Sequence, residues 1–144
     1  MRWKECLEYK VKKVKENPEQ ARALLILADR RLESIERRRD EEFPQLLLEE
    51  YYEAIKELIG ALLALHGYKS YSHECLISFI EEFYPTMLSE SHIYFLDSLR
   101  KLRSDIQYRG RDVAEDYLTR NLSLIEEIID TLRIMVDKEV KRKK

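Results

Sequence analysis

Glycine and proline are scarce in this chain. Three of each occur, six among 144 residues, where an average domain would carry about 12% of the two combined. Loops are therefore expected to be few and short. The sequence is too poor in turn residues for a P-loop, a dinucleotide-binding fingerprint or a many-stranded β-sandwich. Hydrophobic residues still make up 44% of the chain, which excludes a protein that is disordered throughout.

Long apolar runs and an export signal are also missing. The longest apolar run, residues 58–65, is far shorter than the stretch of about 20 residues that spans a membrane. The N-terminus begins with a charged stretch instead of an apolar segment and a small-residue cleavage site. We therefore expect a soluble, cytoplasmic protein that does not contact a membrane, in which Cys6 and Cys75 remain reduced thiols.

Apolar residues recur three and four positions apart along nearly the whole chain, which is the spacing of one helix face. No stretch alternates polar and apolar residues for long enough to predict a strand. The sequence therefore predicts an all-α protein, an antiparallel helical bundle of five to six helices in a single domain over residues 1–144. Residues 1–16 form an extra N-terminal helix in this prediction, and residues 139–144 form a frayed basic tail. The predicted helices cover residues 3–15, 18–39, 44–66, 73–83, 89–107 and 112–138.

Proline and glycine mark several of these boundaries. Pro18 and Pro44 suit the first turn of a helix, and Gly67 suits the position after the last turn, where φ is positive. Gly60 lies inside the third predicted helix, where glycine costs about 1 kcal/mol relative to alanine. We therefore expect a neighbouring backbone to approach closely at Gly60.

Positive charge is concentrated in two segments of a chain whose net charge is −2. Residues 99–111 and residues 138–144 each contain five cations and one anion. A basic region on an otherwise acidic protein can attract a phosphate group. Helical geometry places a polar stripe along one flank of the fifth helix, and arginine binds phosphate oxygens bidentately. The stripe consists of Arg100, Arg103, Ser104 and Gln107.

This stripe has an alternative interpretation. Charged residues three and four positions apart on a helix commonly pair with each other on a solvated face. In the fifth helix, Arg100 or Lys101 could pair in this way with Asp97 or Asp105. The charge pattern alone therefore leaves open whether the stripe binds a ligand.

Three segments of the chain form a recognisable set. They are residues 51–64 (YYEAIKELIGALLA) with Gly67, the tripeptide Ser72-His73-Glu74, and residues 97–110 (DSLRKLRSDIQYRG). Together they resemble the HEPN (higher eukaryotes and prokaryotes nucleotide-binding) domain family. The likeness covers about residues 18–135. It implies a helical bundle, commonly a homodimer, in which an arginine and a histidine four to six residues later lie near the subunit interface. In active members this pair cleaves RNA without a metal ion.

Arg103 occupies the arginine position of this motif, but Tyr108 occupies the histidine position. An unperturbed tyrosine has a pKa of about 10 and is a poor general base at pH 7, whereas histidine exchanges protons near neutral pH. The resemblance therefore implies a pocket that binds nucleotide or RNA, with absence of cleavage favoured over activity. Arg103 and Tyr108 are the candidate catalytic pair. The candidate binding residues are Arg100, Arg103, Ser104, Gln107, Tyr108 and Arg109.

The resemblance also implies a small nucleotidyltransferase as a partner, acting in trans as in prokaryotic toxin–antitoxin pairs or as an accessory subunit. Two alternatives remain open. One is an active endoribonuclease toxin in which Tyr108 substitutes for histidine, and the other is a non-catalytic module that recruits partners through its apolar helix faces. The high Lys, Arg and Glu content is also typical of heat-adapted proteins.

No cofactor or metal ion is expected. The three histidines are not spaced three or four positions apart, so they do not form the pattern of a metal site on a helix. We expect structural roles for all three: His66 at the end of a helix, His73 in ordering a turn, and His92 as a partly buried polar residue.

Overall fold

The computed structural model describes residues 2–143, and this part of the chain contains six helices and one two-stranded sheet. The all-α helical bundle predicted from the periodicity is confirmed. The elements in chain order are α1 (Trp3–Tyr9), β1 (Val11–Lys13), α2 (Pro18–Arg38), α3 (Pro44–His66), β2 (Tyr68–Ser70), α4 (His73–Phe83), α5 (Glu90–Arg109) and α6 (Tyr117–Arg142).

Helix α3 forms the centre of the bundle. It packs against α2, α4, α5 and α6, and side chains around most of its circumference, such as Leu58, Leu62 and Leu65, are fully buried. Removing a leucine side chain of this size from water contributes about 1.5–3 kcal/mol. The apolar character of α3 on nearly every face therefore explains both its central position and the arrangement of the other helices around it.

An asparagine caps the start of α2, and a glycine ends α3. The Asn17 side chain accepts a hydrogen bond of 3.0 Å from the Gln20 backbone N–H and caps α2. Gly67 ends α3 with φ of 79°, as predicted, and a Cβ atom there would lie 2.7 Å from the Val14 carbonyl oxygen. The expectation for Gly60 is wrong, because a Cβ atom there would meet only the Leu24 side chain, at an ordinary contact distance of 3.6 Å, and no neighbouring backbone.

The extra N-terminal helix is shorter than predicted and is followed by a strand. Helix α1 ends at Tyr9, and Val11–Lys13 pairs antiparallel with Tyr68–Ser70 in the register Val11↔Ser70, Lys12↔Lys69 and Lys13↔Tyr68. The expectation of no strands was therefore wrong. A strand of three residues is too short to show an alternating pattern in sequence, so periodicity could not reveal it.

The cysteines form a disulfide bond, which corrects the expectation of two reduced thiols. Cys6 on α1 and Cys75 on α4 are bonded across 69 residues of sequence, and both are completely buried. Their separation and the absence of a Cys-x-x-Cys pattern gave no sign that the fold brings them together. The bond fixes α1 beside α4, where Trp3 packs edge-on against Phe79 and Phe83.

The last helix begins and ends later than predicted. It spans Tyr117–Arg142, so residues 139–142, predicted to fray, are helical. Val140 explains the difference, because its side chain is buried in the core, and Lys143 beyond it forms an ion pair of 2.8 Å with Glu16. None of the helices in residues 2–143 has the length and apolar content needed to cross a membrane.

Candidate functional site

Polar side chains from α3, α4 and α5 converge around Arg103. Helix α3 contributes Tyr52, Glu53 and Lys56, which share one face because they are adjacent or about one turn apart. Helix α5 contributes two arginines that are also about one turn apart, and α4 contributes its first residue, His73. We call this group the Arg103 cluster, and its members are Tyr52, Glu53, Lys56, His73, Arg100 and Arg103.

The Arg103 guanidinium is held against α3. Its Nη2 atom donates a hydrogen bond of 2.9 Å to Glu53 Oε1, and its Cζ atom lies 5.8 Å from the centre of the Tyr52 ring. The Nε atom is buried and has no hydrogen-bond partner, a state that costs about 1–3 kcal/mol and that is rare in folded proteins. With five N–H donors and a single carboxylate partner, Arg103 retains capacity to bind an anion.

Positive charge exceeds negative charge in and around the cluster. Glu53 also forms an ion pair of 3.1 Å with Lys56, and Arg100 pairs with Asp97 at 2.9 Å. Three cations therefore face two carboxylates. Although burial opposes ionisation of Asp97, the hydrogen bonds from Arg100 and Lys101 lower the pKa of this carboxyl below its ordinary value. Both carboxylates thus orient the arginines while leaving an excess of positive charge.

His73 and Tyr52 form a neutral hydrogen-bonded pair beside the arginines. Tyr52 Oη and His73 Nδ1 lie 3.3 Å apart. Burial raises the pKa of Tyr52 to about 12, although Arg100 and Arg103 favour its ionised form. Burial, with further contributions from Lys56 and Arg103, lowers the pKa of His73 below its ordinary value. At pH 7 the site therefore presents an uncharged imidazole beside a cationic guanidinium.

The α5 residues singled out in the sequence divide into two groups. Arg100 and Lys101 both pair with Asp97 in their own helix, as the alternative interpretation of the stripe proposed. Arg103 instead reaches across to α3, and only 13% of its side chain is exposed. The polar stripe is therefore not a uniformly solvated helix face.

The C-terminal end of α5 faces solvent. Tyr108 is 74% exposed, and Arg109 is also exposed and approaches Asp105 at 4.0 Å. Five residues of helix rotate a side chain by about 140°, so Tyr108 points away from the direction of Arg103. Ser104 is partly buried and Gln107 is exposed. The structure thus places Arg103 inside the cluster and Tyr108 on the surface.

Three members of the cluster were not predicted as site residues from the sequence, and His73 was assigned only a structural role. The three are Tyr52, Glu53 and Lys56. They lie about 50 residues before Arg103, and their contacts depend on how α3 packs against α5. One signal in the sequence could have identified Tyr52, Glu53 and His73 as site residues. They occur in the same family-like segments as Arg103.

The other two histidines have structural contacts. His66 Nε2 lies 2.8 Å from Tyr84 Oη, and its ring packs among Phe79 and Phe83, so it belongs to the half-buried interior of the bundle. His92 is partly buried, as predicted, and its Nε2 atom lies 3.1 Å from Glu127. Across residues 2–143, no three His, Cys, Asp or Glu side chains are grouped in a way that could hold a metal ion.

The other helices surround the central apolar helix α3, and the mostly buried Arg103 on α5 lies in a polar cluster. These features define the protein as a helical-bundle domain with a basic polar site. The family model described as HEPN domain matches residues 21–135, most of the chain. The chain belongs to the HEPN domain family, and membership implies a function related to nucleotides or RNA. No curated protein matches the chain.

Proposed function

We propose that the Arg103 cluster binds a phosphate group of a nucleotide or RNA. The observation that carries this proposal is the Arg103 guanidinium, which is mostly buried, is held by Glu53 and has an Nε atom without a partner. An arginine of this kind is pre-oriented, so little conformational entropy is lost when it binds an anion. Its partial burial also strengthens its interaction with phosphate oxygens.

We also propose that a bound RNA strand passes from the Arg103 cluster around α5 to the exposed end of this helix. Gln107 lies one turn beyond Arg103, whereas Tyr108 and Arg109 lie on other faces of the helix, and all three are accessible to a ligand. Arginine side chains here would contact successive phosphates of an RNA strand, and the Tyr108 ring would stack on a base. Binding in this mode weakens as the salt concentration rises, because phosphate contacts release counterions.

The decisive comparison pairs Arg103 with an exposed arginine outside the proposed binding surface. Arg103→Gln and Arg37→Gln remove the same charge, but Arg37 lies on α2 and pairs with Glu33 in its own helix. We expect Arg103→Gln to weaken binding of a fluorescently labelled oligoribonucleotide by about tenfold, the effect of losing one charge-assisted hydrogen bond. Arg37→Gln should leave the Kd within about twofold. Equal effects of the two substitutions would contradict a site at Arg103 and indicate general charge attraction.

A second candidate function is metal-independent RNA cleavage. Tyr108 replaces the histidine that active family members are expected to use, but His73 brings a neutral imidazole to the Arg103 cluster. An imidazole of lowered pKa can accept a proton from a ribose hydroxyl at neutral pH. Cleavage of labelled RNA in the presence of a metal chelator, lost in His73→Gln but retained in His92→Gln, would support this function. Intact RNA with the unaltered protein would exclude it and leave binding as the activity.

We also propose that the protein acts as a homodimer and as a partner of a small nucleotidyltransferase. Exposed apolar side chains support a contact surface, since Ile26 and Leu27 on α2 and Ile134 on α6 are 44–63% exposed. The Arg133–Asp29 ion pair links α6 and α2 beside them. Sedimentation equilibrium should show a dimer that Ile134→Glu weakens. A monomer at all concentrations would contradict the dimer. The partnership has its own test, in which the protein is co-expressed with a nucleotidyltransferase from a neighbouring gene, and failure of the two to copurify would contradict it.

A further inference from the structure

A second basic site lies beside the Arg103 cluster, where the two-stranded β1–β2 sheet covers the ends of α2, α3 and α4. It is a cavity of about 620 Å³, within the range of about 300–1,000 Å³ that is typical of small-molecule sites. We call it the sheet pocket. Its polar wall includes Lys15, Lys56, Lys69, Tyr68, Tyr71 and His73, and its floor is apolar.

The lining of the sheet pocket favours an anion. The described residues that line it include three lysines and no aspartate or glutamate. A cavity of similar volume between α4 and α5 has the opposite character, because Glu74, Glu81, Glu90 and Asp97 line it. The two cavities are thus comparable in size, but of these two only the sheet pocket has the charge to accept a phosphate.

Two lysines oppose each other on the β1–β2 sheet. The register pairs Lys12 with Lys69 directly across the two strands. Like charges in this position destabilise a sheet, and a bound anion would relieve the repulsion. Lys69 also lies 5.5 Å from the centre of the Tyr71 ring, and Tyr71 is 67% exposed. An exposed ring beside a cation can stack on a nucleobase while the cation contacts the phosphate.

The pocket depends on a part of the chain outside the family match. Strand β1 and Lys15 precede residue 21, where the match begins. On its other side the pocket shares Lys56 and His73 with the Arg103 cluster. The N-terminal segment therefore closes a cavity against the part of the bundle that the family model matches, and it places this cavity next to the proposed phosphate site.

We propose that the sheet pocket binds a nucleotide, with the phosphate at Lys69 and Lys15 and the base against Tyr71. The proposal deepens the function assigned to the Arg103 cluster and takes its ligand class from it, but these three side chains lie outside the cluster. The nucleotide can be a free one or the phosphorylated end of an RNA strand. Both present the same phosphate and base to the pocket.

Titration calorimetry with AMP tests the pocket, with adenosine and inorganic phosphate as partial ligands. We expect AMP to bind more tightly than either partial ligand. Lys69→Gln and Tyr71→Ala should each raise the Kd of AMP by about fivefold or more. Tyr71→Phe, which keeps the ring, and Lys138→Gln, an exposed lysine on α6, should leave the Kd within about twofold. Because these side chains are accessible, the variants are expected to fold.

Oligoribonucleotides with and without a 5′-phosphate identify the source of the nucleotide. Preference for AMP indicates a free nucleotide, and pocket-dependent preference for the phosphorylated oligonucleotide indicates an RNA end. Either result supports the pocket. AMP and oligonucleotide affinities that Lys69→Gln and Tyr71→Ala leave unchanged would overturn it, even if Arg103→Gln still weakens RNA binding. Pocket-dependent AMP binding without any Arg103-dependent RNA binding would instead refute the proposed function alone.

Lys69→Gln has a second readout that does not need a ligand. Removing the charge opposite Lys12 should raise the melting temperature of the free protein, because the repulsion between the two strands is lost. AMP should raise the melting temperature of the unaltered protein more than that of Lys69→Gln. A ligand-induced rise of the same size in both proteins would contradict a phosphate contact at Lys69.

Discussion

Reduction of the Cys6–Cys75 bond is expected to remove a large part of the stability of the fold. The bond closes a loop with a sequence separation of 69 residues, and the chain-entropy relation for a loop of this length gives about 4 kcal/mol at 25 °C. Globular domains are stable by only about 5–15 kcal/mol in total. The reduced chain should still fold, since Trp3 remains in its aromatic contacts and β1 remains paired with β2.

Urea unfolding of the oxidised and reduced protein measures this difference. Comparing the two redox states keeps both sulfur-containing side chains, so the result reports the covalent bond and not a cavity. Trp3 is the single tryptophan, and its fluorescence follows α1, while circular dichroism follows the helices. We expect both probes to show a midpoint lower by about 2 M in the reduced protein, given a slope of about 2 kcal/mol per M.

Two results would refute this reasoning. The first is a change of less than about 1 kcal/mol in the free energy of unfolding, which would show that the cross-link constrains the unfolded chain far less than its length implies. The second is the titration of two free thiols in denatured protein that was never exposed to a reductant. The double variant Cys6→Ala/Cys75→Ala serves as a control and should resemble the reduced protein.

Two further predictions concern glycine and pH. Gly67→Ala should lower the free energy of unfolding by about 2 kcal/mol or more, because alanine is strained at positive φ and its Cβ would meet the Val14 carbonyl oxygen. Gly110→Ala should lower it by only about 1 kcal/mol, because no other atom lies near a Cβ at that position. Equal losses in urea unfolding would contradict the contact with Val14. Burial lowers the pKa of His66 from 6.5, so its contribution to stability is complete above pH 6.5 and is lost as the pH falls through the lowered pKa. Urea unfolding between about pH 7.5 and 5.5 should show this decline, and a decline just as steep in His66→Gln would contradict its assignment to His66.

The helices could be predicted because each depends on local sequence. Apolar spacing identifies a helix face, and Pro18, Pro44 and Gly67 lie at boundaries that the structure confirms. The β1–β2 sheet could not be predicted, because three-residue strands carry no detectable period and their pairing joins residues more than 50 positions apart. The disulfide was missed for the same reason, since only the packing of α1 on α4 brings Cys6 to Cys75.

The candidate site was predictable only in part. Arg100 and Arg103 stand out on α5 because of their charge and their position in the family pattern. The partners of Arg103 do not stand out, because Glu53, Tyr52 and His73 reach it through the packing of three helices. At Gly60 the sequence suggested a contact that the structure does not contain. A glycine inside a buried helix predicted the close approach of a neighbouring backbone, but the Leu24 side chain lies there instead.

The most direct test of phosphate binding at Arg103 is the NMR signal of its Nε–H group. This atom is buried and has no partner in the protein, so its resonance should report a ligand on the same guanidinium. The signal is assigned by its absence in Arg103→Lys and is followed during titration with an oligoribonucleotide. We expect a saturable shift of the Arg103 signal at the concentration where the RNA binds. Binding of the RNA with an unchanged Arg103 signal, and shifts confined to Arg109 and Arg111, would contradict a phosphate site in the Arg103 cluster.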